Sequence, residues 1–164
     1  MRLETRAIHW LLYTRDCRFA VCERTPRHTG IPDALGVTDA RLLVEIEIKR
    51  SVSDFRANAH KWHVANRALH IHRWPYQFYF LVPSELVTKV EAMLPEYAGL
   101  MTNDEHPLRV VKIAPKNRES KRLSVKECVK LARCMANHSA ALMKQADTRA
   151  EREQFGNLDL DYTI

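Results

Sequence analysis

The 164-residue chain carries 26 Lys and Arg against 20 Asp and Glu, with 46% apolar and 28% charged residues, a globular mixture long enough for one domain with a proper core. Its apolar runs fall far below the ~18 residues needed to cross a bilayer, and the run from Ala7 to Tyr13 lacks a small-residue cleavage site, which argues against a signal peptide and a membrane partner and for a cytoplasmic protein. The formal charge of +6 excludes no nucleic-acid role, and its placement favours one. Residues 1–48 balance, with seven basic and seven acidic, whereas residues 49–73 carry six basic against one acidic and residues 116–152 carry ten against four. Two basic blocks of this kind suit a polyanion such as DNA, and a solvated lysine-rich face stands as an equal alternative.

In chain order, Leu3, Ala7, Trp10 and Leu11 recur at helical spacing, so Leu3 to Tyr13 is expected to be a helix. Cys17 to Cys22 is rich in strand formers, and Thr25 to Ile31, with Pro26 and Gly30, is a loop. Ala34 to Thr38, a turn at Thr38-Asp39-Ala40-Arg41, and Leu42 to Lys49 read as an antiparallel hairpin with Pro32 at its entrance. In the second arm Val44, Ile46 and Ile48 alternate with Glu45, Glu47 and Lys49. Side chains alternate along a strand, so three charges share one face. Either that face is solvated and salt-bridged, or it holds a reactive site. A turn centred on residues 39–40 brings Asp33 opposite residues 46–47, beside the Glu47 end of the charged row.

Ser51 or Ser53 caps a following helix, with Asp54 at its positive end, and Trp62 to His72 continues helical until Pro75. Tyr76 to Val82 is the most apolar run and reads as a central buried strand. Pro83 opens a helix to about Leu94, Gly99–Thr102 and Leu108–Ile113 are strands, and Asn117 to Lys121 is a polar basic loop. Ser124-Val125-Lys126-Glu127 is a capping box ahead of a long helix. That helix has Val125, Cys128, Val129, Ala132, Met135, Ala136, Leu142 and Met143 as its apolar stripe. Residues 1–150 form one domain, and 151–164 an acidic, flexible tail. The four cysteines form no C-x-x-C pair and read as free, mostly buried thiols. Strands alternating with helices give an α/β or α+β domain.

Hydrolysis of a phosphodiester needs a polarised phosphate, an oriented water and a stabilised leaving oxygen. Hard Mg²⁺ (or Mn²⁺) takes carboxylate oxygens and keeps several waters. Asp33 and Glu47 would supply those oxygens, with the carbonyl of Ile48 as a third ligand. Lys49, two residues beyond Glu47, points to the same side and would orient the water. Pro32-Asp33, thirteen residues, then Glu47-Ile48-Lys49 resembles the signature of the PD-(D/E)XK nuclease superfamily. The stretches Val44 to Ser51, Asp54-Phe55-Arg56 and Phe78-Tyr79-Phe80-Leu81-Val82-Pro83 are similar to the MmcB-like DNA repair branch and related phage proteins.

The resemblance covers roughly Ala7 to Ala114. It implies a restriction-endonuclease-like core: a mixed central sheet with an active-site hairpin flanked by helices, followed here by the long C-terminal helix. It also implies a metal-dependent DNA endonuclease of a bacterial or phage-infected cell. Asp33 and Glu47 would be metal ligands and Lys49 the catalytic lysine. A further acid would be Glu4 or Glu23, with Glu23, at the end of the first strand, preferred. Glu45 would support Glu47, or pair with Arg41 or Lys49. Arg50, Arg56, His60 and Lys61, and in the second block Lys116, Arg118, Lys121 and Arg122, are the candidates for phosphate contact. Each of the first four alone is more often a solvated charge, and the second block is equally an ordinary solvated loop. Zinc on His60, His63, His70 and His72 is a minor alternative. Trp62 and Trp74 would stack on bases or, more simply, pack in the core. Double-strand cleavage with one site per chain would favour a homodimer. Two other readings stand beside the nuclease: a nucleic-acid-binding protein on the same scaffold without catalysis, and a phage or plasmid accessory protein.

Overall fold

A computed structural model describes residues 2–22, 31–58, 71–104 and 108–155. Among the described residues six strands follow one another across one mixed sheet. They are β1 (Phe19–Cys22), β2 (Ala34–Val37), β3 (Leu43–Ile48), β4 (Gln77–Val82), β5 (Gly99–Thr102) and β6 (Arg109–Lys112). The first three pair antiparallel, β3, β4 and β5 run parallel, and β6 returns antiparallel. Helix α1 (Leu3–His9) continues through a wider π-wound turn at Trp10–Thr14. After β3 come α2 (Val52–Asn58), then β4, a 3-10 turn (Ser84–Leu86) and α3 (Val87–Glu91), which ends short of the expected Leu94. Helix α4 (Val125–Phe155) closes the described chain. Among the described residues no helix is long and apolar enough to cross a membrane.

The two faces of the sheet follow from the alternation. On one face Val44, Ile46 and Ile48 join Tyr79, Leu81 and Met101 beneath Ala7, Trp10 and Leu11 of the first helix. Gly36 permits that close approach: a Cβ there would meet Cys17 Sγ at 2.7 Å and Leu11 Cδ2 at 2.8 Å. The opposite face carries two apolar clusters. Phe55 of α2 and Val90 of α3 pack with Trp74, Phe78, Phe80 and Leu100, so α2 and α3 both lie on this side. Leu123 and Leu131 pack over Val21, Leu35, Val37 and Leu43. Between the two clusters, on β3, lie Glu45 and Glu47, paired in register with Phe78 and Phe80 of β4.

The hairpin forms where its turn residues place it. Thr38 N–H donates to the Leu42 carbonyl (3.0 Å), Leu42 N–H to Thr38 Oγ1 (3.1 Å), and Arg41 takes a left-handed φ of 60°. Ala34 pairs with Ile46, so one further step places Asp33 opposite Glu47. Strand β4 is buried along its whole length, as parallel strands covered on both faces are.

Three expectations change. The helix α4 stripe is largely solvent-facing, with Val125, Val129 and Met143 at 65%, 57% and 69% exposure, while Leu131, outside that stripe, is 2% exposed. Only the first turns of α4 lie over the sheet, through Leu131 and Cys128. A 31-residue helix is about 46 Å long and outruns strands of four to six residues. It also runs past residue 151, the expected start of the tail, to Phe155. The cysteines are free, but only Cys17 is buried, and Cys22, Cys128 and Cys134 are partly exposed. The capping box at Ser124 forms as expected, with Glu127 N–H donating to Ser124 Oγ and Ser124 N–H to Glu127 Oε2.

Candidate functional site

The charged row on β3 is not a solvated face. Glu47 and Lys49 are 5% and 3% exposed, and Lys49 Nζ lies 2.9 Å from Glu47 Oε1. A lysine is buried at this depth only when its charge is compensated. The compensation has a second part that residue spacing does not reveal. Asp54 Oδ1 stands 3.5 Å from Lys49 Nζ. Asp54 is fixed by the start of α2: its N–H donates to Ser51 Oγ (3.1 Å), and its Oδ2 accepts from Arg50 N–H (3.2 Å). Ser51 is thus the N-cap, and Asp54, three residues on, serves both the helix end and the lysine. The Ser-x-x-Asp spacing is legible as a cap. Nothing in it shows that the turn after β3 folds the carboxylate back onto Lys49.

Asp33 enters from the facing arm of the hairpin. Its Oδ2 accepts a 2.6 Å hydrogen bond from the N–H of Ile48, a short, charge-assisted contact that ties the entrance of β2 to the end of β3. Lys49 N–H donates to the Leu81 carbonyl at 2.9 Å, continuing the β3–β4 ladder. Asp33, Glu47, Lys49 and Asp54 therefore gather at the carboxyl end of β3, beside the carboxyl end of its parallel neighbour. Ligands of open α/β sheets bind outside those ends. Glu47 and Asp54 flank the ammonium, and with Asp33 in register beside Glu47 the four groups carry a formal charge of −2. That charge repels a phosphate and attracts a divalent cation. Among the described residues no group of three or more His, Cys, Asp or Glu is set to hold a metal, and the hairpin itself presents two carboxylates, Asp33 and Glu47. A hard cation that keeps most of its waters needs no more than one or two.

The remaining candidates separate. Glu4 of α1 reaches the edge of this region, with Oε1 2.7 Å from Arg50 Nη2. Its other oxygen is enclosed without a hydrogen-bond partner. Glu23, His60 and Lys61 lie outside the described residues, as do Trp62, His63 and His70. Arg56 is exposed on α2, and Arg50, 65% exposed, is the partner of Glu4. Glu45 is half-buried. Trp74 is a core residue, edge-on to Tyr97 with ring centroids 5.5 Å apart.

Lys116, Arg118, Lys121 and Arg122 do not join the site. Residues 114–123 cross the amino ends of the parallel strands. The Ala114 carbonyl accepts from Gln77 Nε2 (3.1 Å), Asn117 N–H donates to Tyr76 O (2.8 Å), and Leu123 N–H donates to Arg41 O (2.8 Å). Strand β3, six residues long, puts about 17 Å between its two ends. The second basic block therefore sits at the far end of the sheet from Lys49.

No family profile matches the chain, and no curated protein does. Among solved structures, a protein of unknown function from Silicibacter pomeroyi is similar over 97% of this chain and 94% of its own, at 21% identity and a TM-score of 0.55. That likeness concerns the fold alone.

Proposed function

We propose that the chain is a metal-dependent DNA nuclease with a restriction-endonuclease-like core of the PD-(D/E)XK kind. One observation carries the reading. A buried lysine stands between Glu47 and Asp54, with Asp33 in register across the hairpin, at the carboxyl end of parallel strands. In this reading Asp33 and Glu47, with the Ile48 carbonyl, hold Mg²⁺ or Mn²⁺. When bound, the ion polarises the phosphate and makes a bound water a better nucleophile. Lys49 donates to the attacking water or to a phosphate oxygen. Asp54 and Glu47 hold its ammonium in place, so that little side-chain freedom is lost when substrate arrives. Hydrolysis would leave a 5′-phosphate.

The test is cleavage of supercoiled plasmid and of a short duplex with Mg²⁺ and with Mn²⁺. Asp33→Ala and Lys49→Ala should lose roughly 100-fold or more of the wild-type rate, with folding checked by circular dichroism. Equal background in all three proteins overturns the proposal. A second reading, a nucleic-acid-binding protein without catalysis on the same scaffold, is favoured by how little of Glu47 and Lys49 reaches solvent. It predicts duplex binding with no metal-dependent cleavage.

A further inference from the structure

The second basic block forms a surface of its own. Residues 116–133 hold seven basic side chains against two acidic, and one of those acids, Glu127, is engaged in capping Ser124. The segment is held on a fixed frame. Asn117 Nδ2 donates to the carbonyls of Ile71 (2.9 Å) and Trp74 (3.4 Å), and its Oδ1 accepts from Glu119 N–H (3.2 Å). Lys121 N–H donates to His72 O at 3.0 Å. These bonds bring in charges distant in sequence: exposed Arg73 beside the loop, and exposed Arg41 at the hairpin turn against Leu123. The chain then enters α4, where Lys126, Lys130 and Arg133 recur at i, i+4 and i+7 on the side turned away from buried Leu131, one turn apart along the helix.

We infer that this face is a second, separate DNA-binding surface, which grips the phosphate backbone of a duplex independently of the β3 site. A preset array of guanidinium and ammonium groups suits the regular, dense charge of a duplex. An anionic membrane would call for Trp, Phe or Leu beside the charges, whereas the exposed large apolar neighbours among the described residues are Ile113, Val125, Val129 and Met135. Helix α4 and the β3 carboxylates occupy the same face of the sheet, so one duplex lying across it can meet both. In that arrangement the loop of the block stands one length of β3, roughly 17 Å, from the site. This last distance rests on the nuclease reading, and the surface itself does not.

The experiment is fluorescence anisotropy with a labelled 24-base-pair duplex in EDTA, where no cleavage interferes, over a series of salt concentrations. The variants are Lys116→Gln/Arg118→Gln/Lys126→Gln, all exposed positions, and the control Lys89→Gln, an exposed lysine of α3. The triple variant is expected to weaken binding at least tenfold at ~0.1 M salt. Each lost phosphate contact should also lower the slope of log Kd against log salt by about 0.9. Lys89→Gln, which removes one exposed lysine outside the block, is expected to bind as wild type does. Unchanged affinity and slope in the triple variant overturn the inference, as does wild type that binds phosphatidylglycerol vesicles and not the duplex. If wild type cleaves DNA but the triple variant binds unimpaired, this inference fails and the nuclease reading stands. If the triple variant loses binding and wild type never cleaves, the surface stands and the nuclease reading falls.

Discussion

Replacing Lys49 with methionine keeps the length of the side chain and removes its charge. Glu47, 5% exposed, would lose the ammonium now 2.9 Å away, and Asp33 lies opposite it in the hairpin. Breaking a buried pair on one side leaves an uncompensated charge and costs about 3–5 kcal/mol. With a urea m-value of about 2 kcal/mol/M for a domain of this size, the unfolding midpoint should fall by roughly 1.5–2.5 M. Two companion variants make the reasoning specific. Glu47→Gln/Lys49→Met removes both charges and should recover most of the loss, so the two substitutions couple with opposite sign. Asp54→Asn should cost about 1 kcal/mol or less, because Asp54 is 45% exposed and its contact is 3.5 Å, in the range of screened pairs. Urea titrations followed by far-UV circular dichroism read all three. If Lys49→Met unfolds within about 0.5 kcal/mol of wild type, or the double variant is no more stable than the single one, the ion pair does not hold this end of the sheet together.

Three other outcomes follow from the packing. Gly99→Ala should destabilise by about 1–3 kcal/mol, since a Cβ there would lie 2.5 Å from the Tyr79 ring and 2.6 Å from the backbone nitrogen of Ala114; thermal unfolding measures it. Leu131→Ala should cost about 2–5 kcal/mol, while Met143→Ala, 69% exposed, should stay within about 0.5 kcal/mol of wild type; equal effects would contradict the placement of α4. Burial pushes the Cys17 thiol up to about 11 from 9.0, so in the folded protein Cys17 should be the slowest of the four cysteines to react with iodoacetamide at pH 8, read by mass spectrometry. Between pH 9 and 11 the unfolded chain gives up that proton before the folded one. Stability contributed below pH 9 is therefore lost as pH rises, by up to about 1.4 kcal/mol per unit, and Cys17→Ser should flatten that decline.

Alternation by itself makes β3 legible. Val44, Ile46 and Ile48 can serve only one face, which puts Glu45, Glu47 and Lys49 on the other. The turn residues from Thr38 to Arg41 set the hairpin register, because a slip of one residue would turn the apolar arm to the wrong side. The same local logic locates β4 from its unbroken apolar run and α4 from its capping box. Periodicity says less about α4 beyond its start. It finds residues that share a side of a helix, and whether that side meets anything depends on how far the sheet extends beneath it.

The chain thus carries in its own order the hairpin, the pairing of Asp33 with Glu47 and the charge of the two basic blocks, since each depends on neighbours a few residues apart or on one short turn. Tertiary structure alone decided that Glu47 and Lys49 are buried, that Asp54 completes the lysine's surroundings and that Glu4 meets Arg50. It also decided that the second basic block crosses the amino ends of β3 and β4, away from the carboxylates. Each of these depends on which segment covers a face or passes a strand end. That is fixed by burying apolar surface across the whole domain, in contacts such as those of Leu123 and Leu131 with Val21 and Leu43, and not by spacing along the chain.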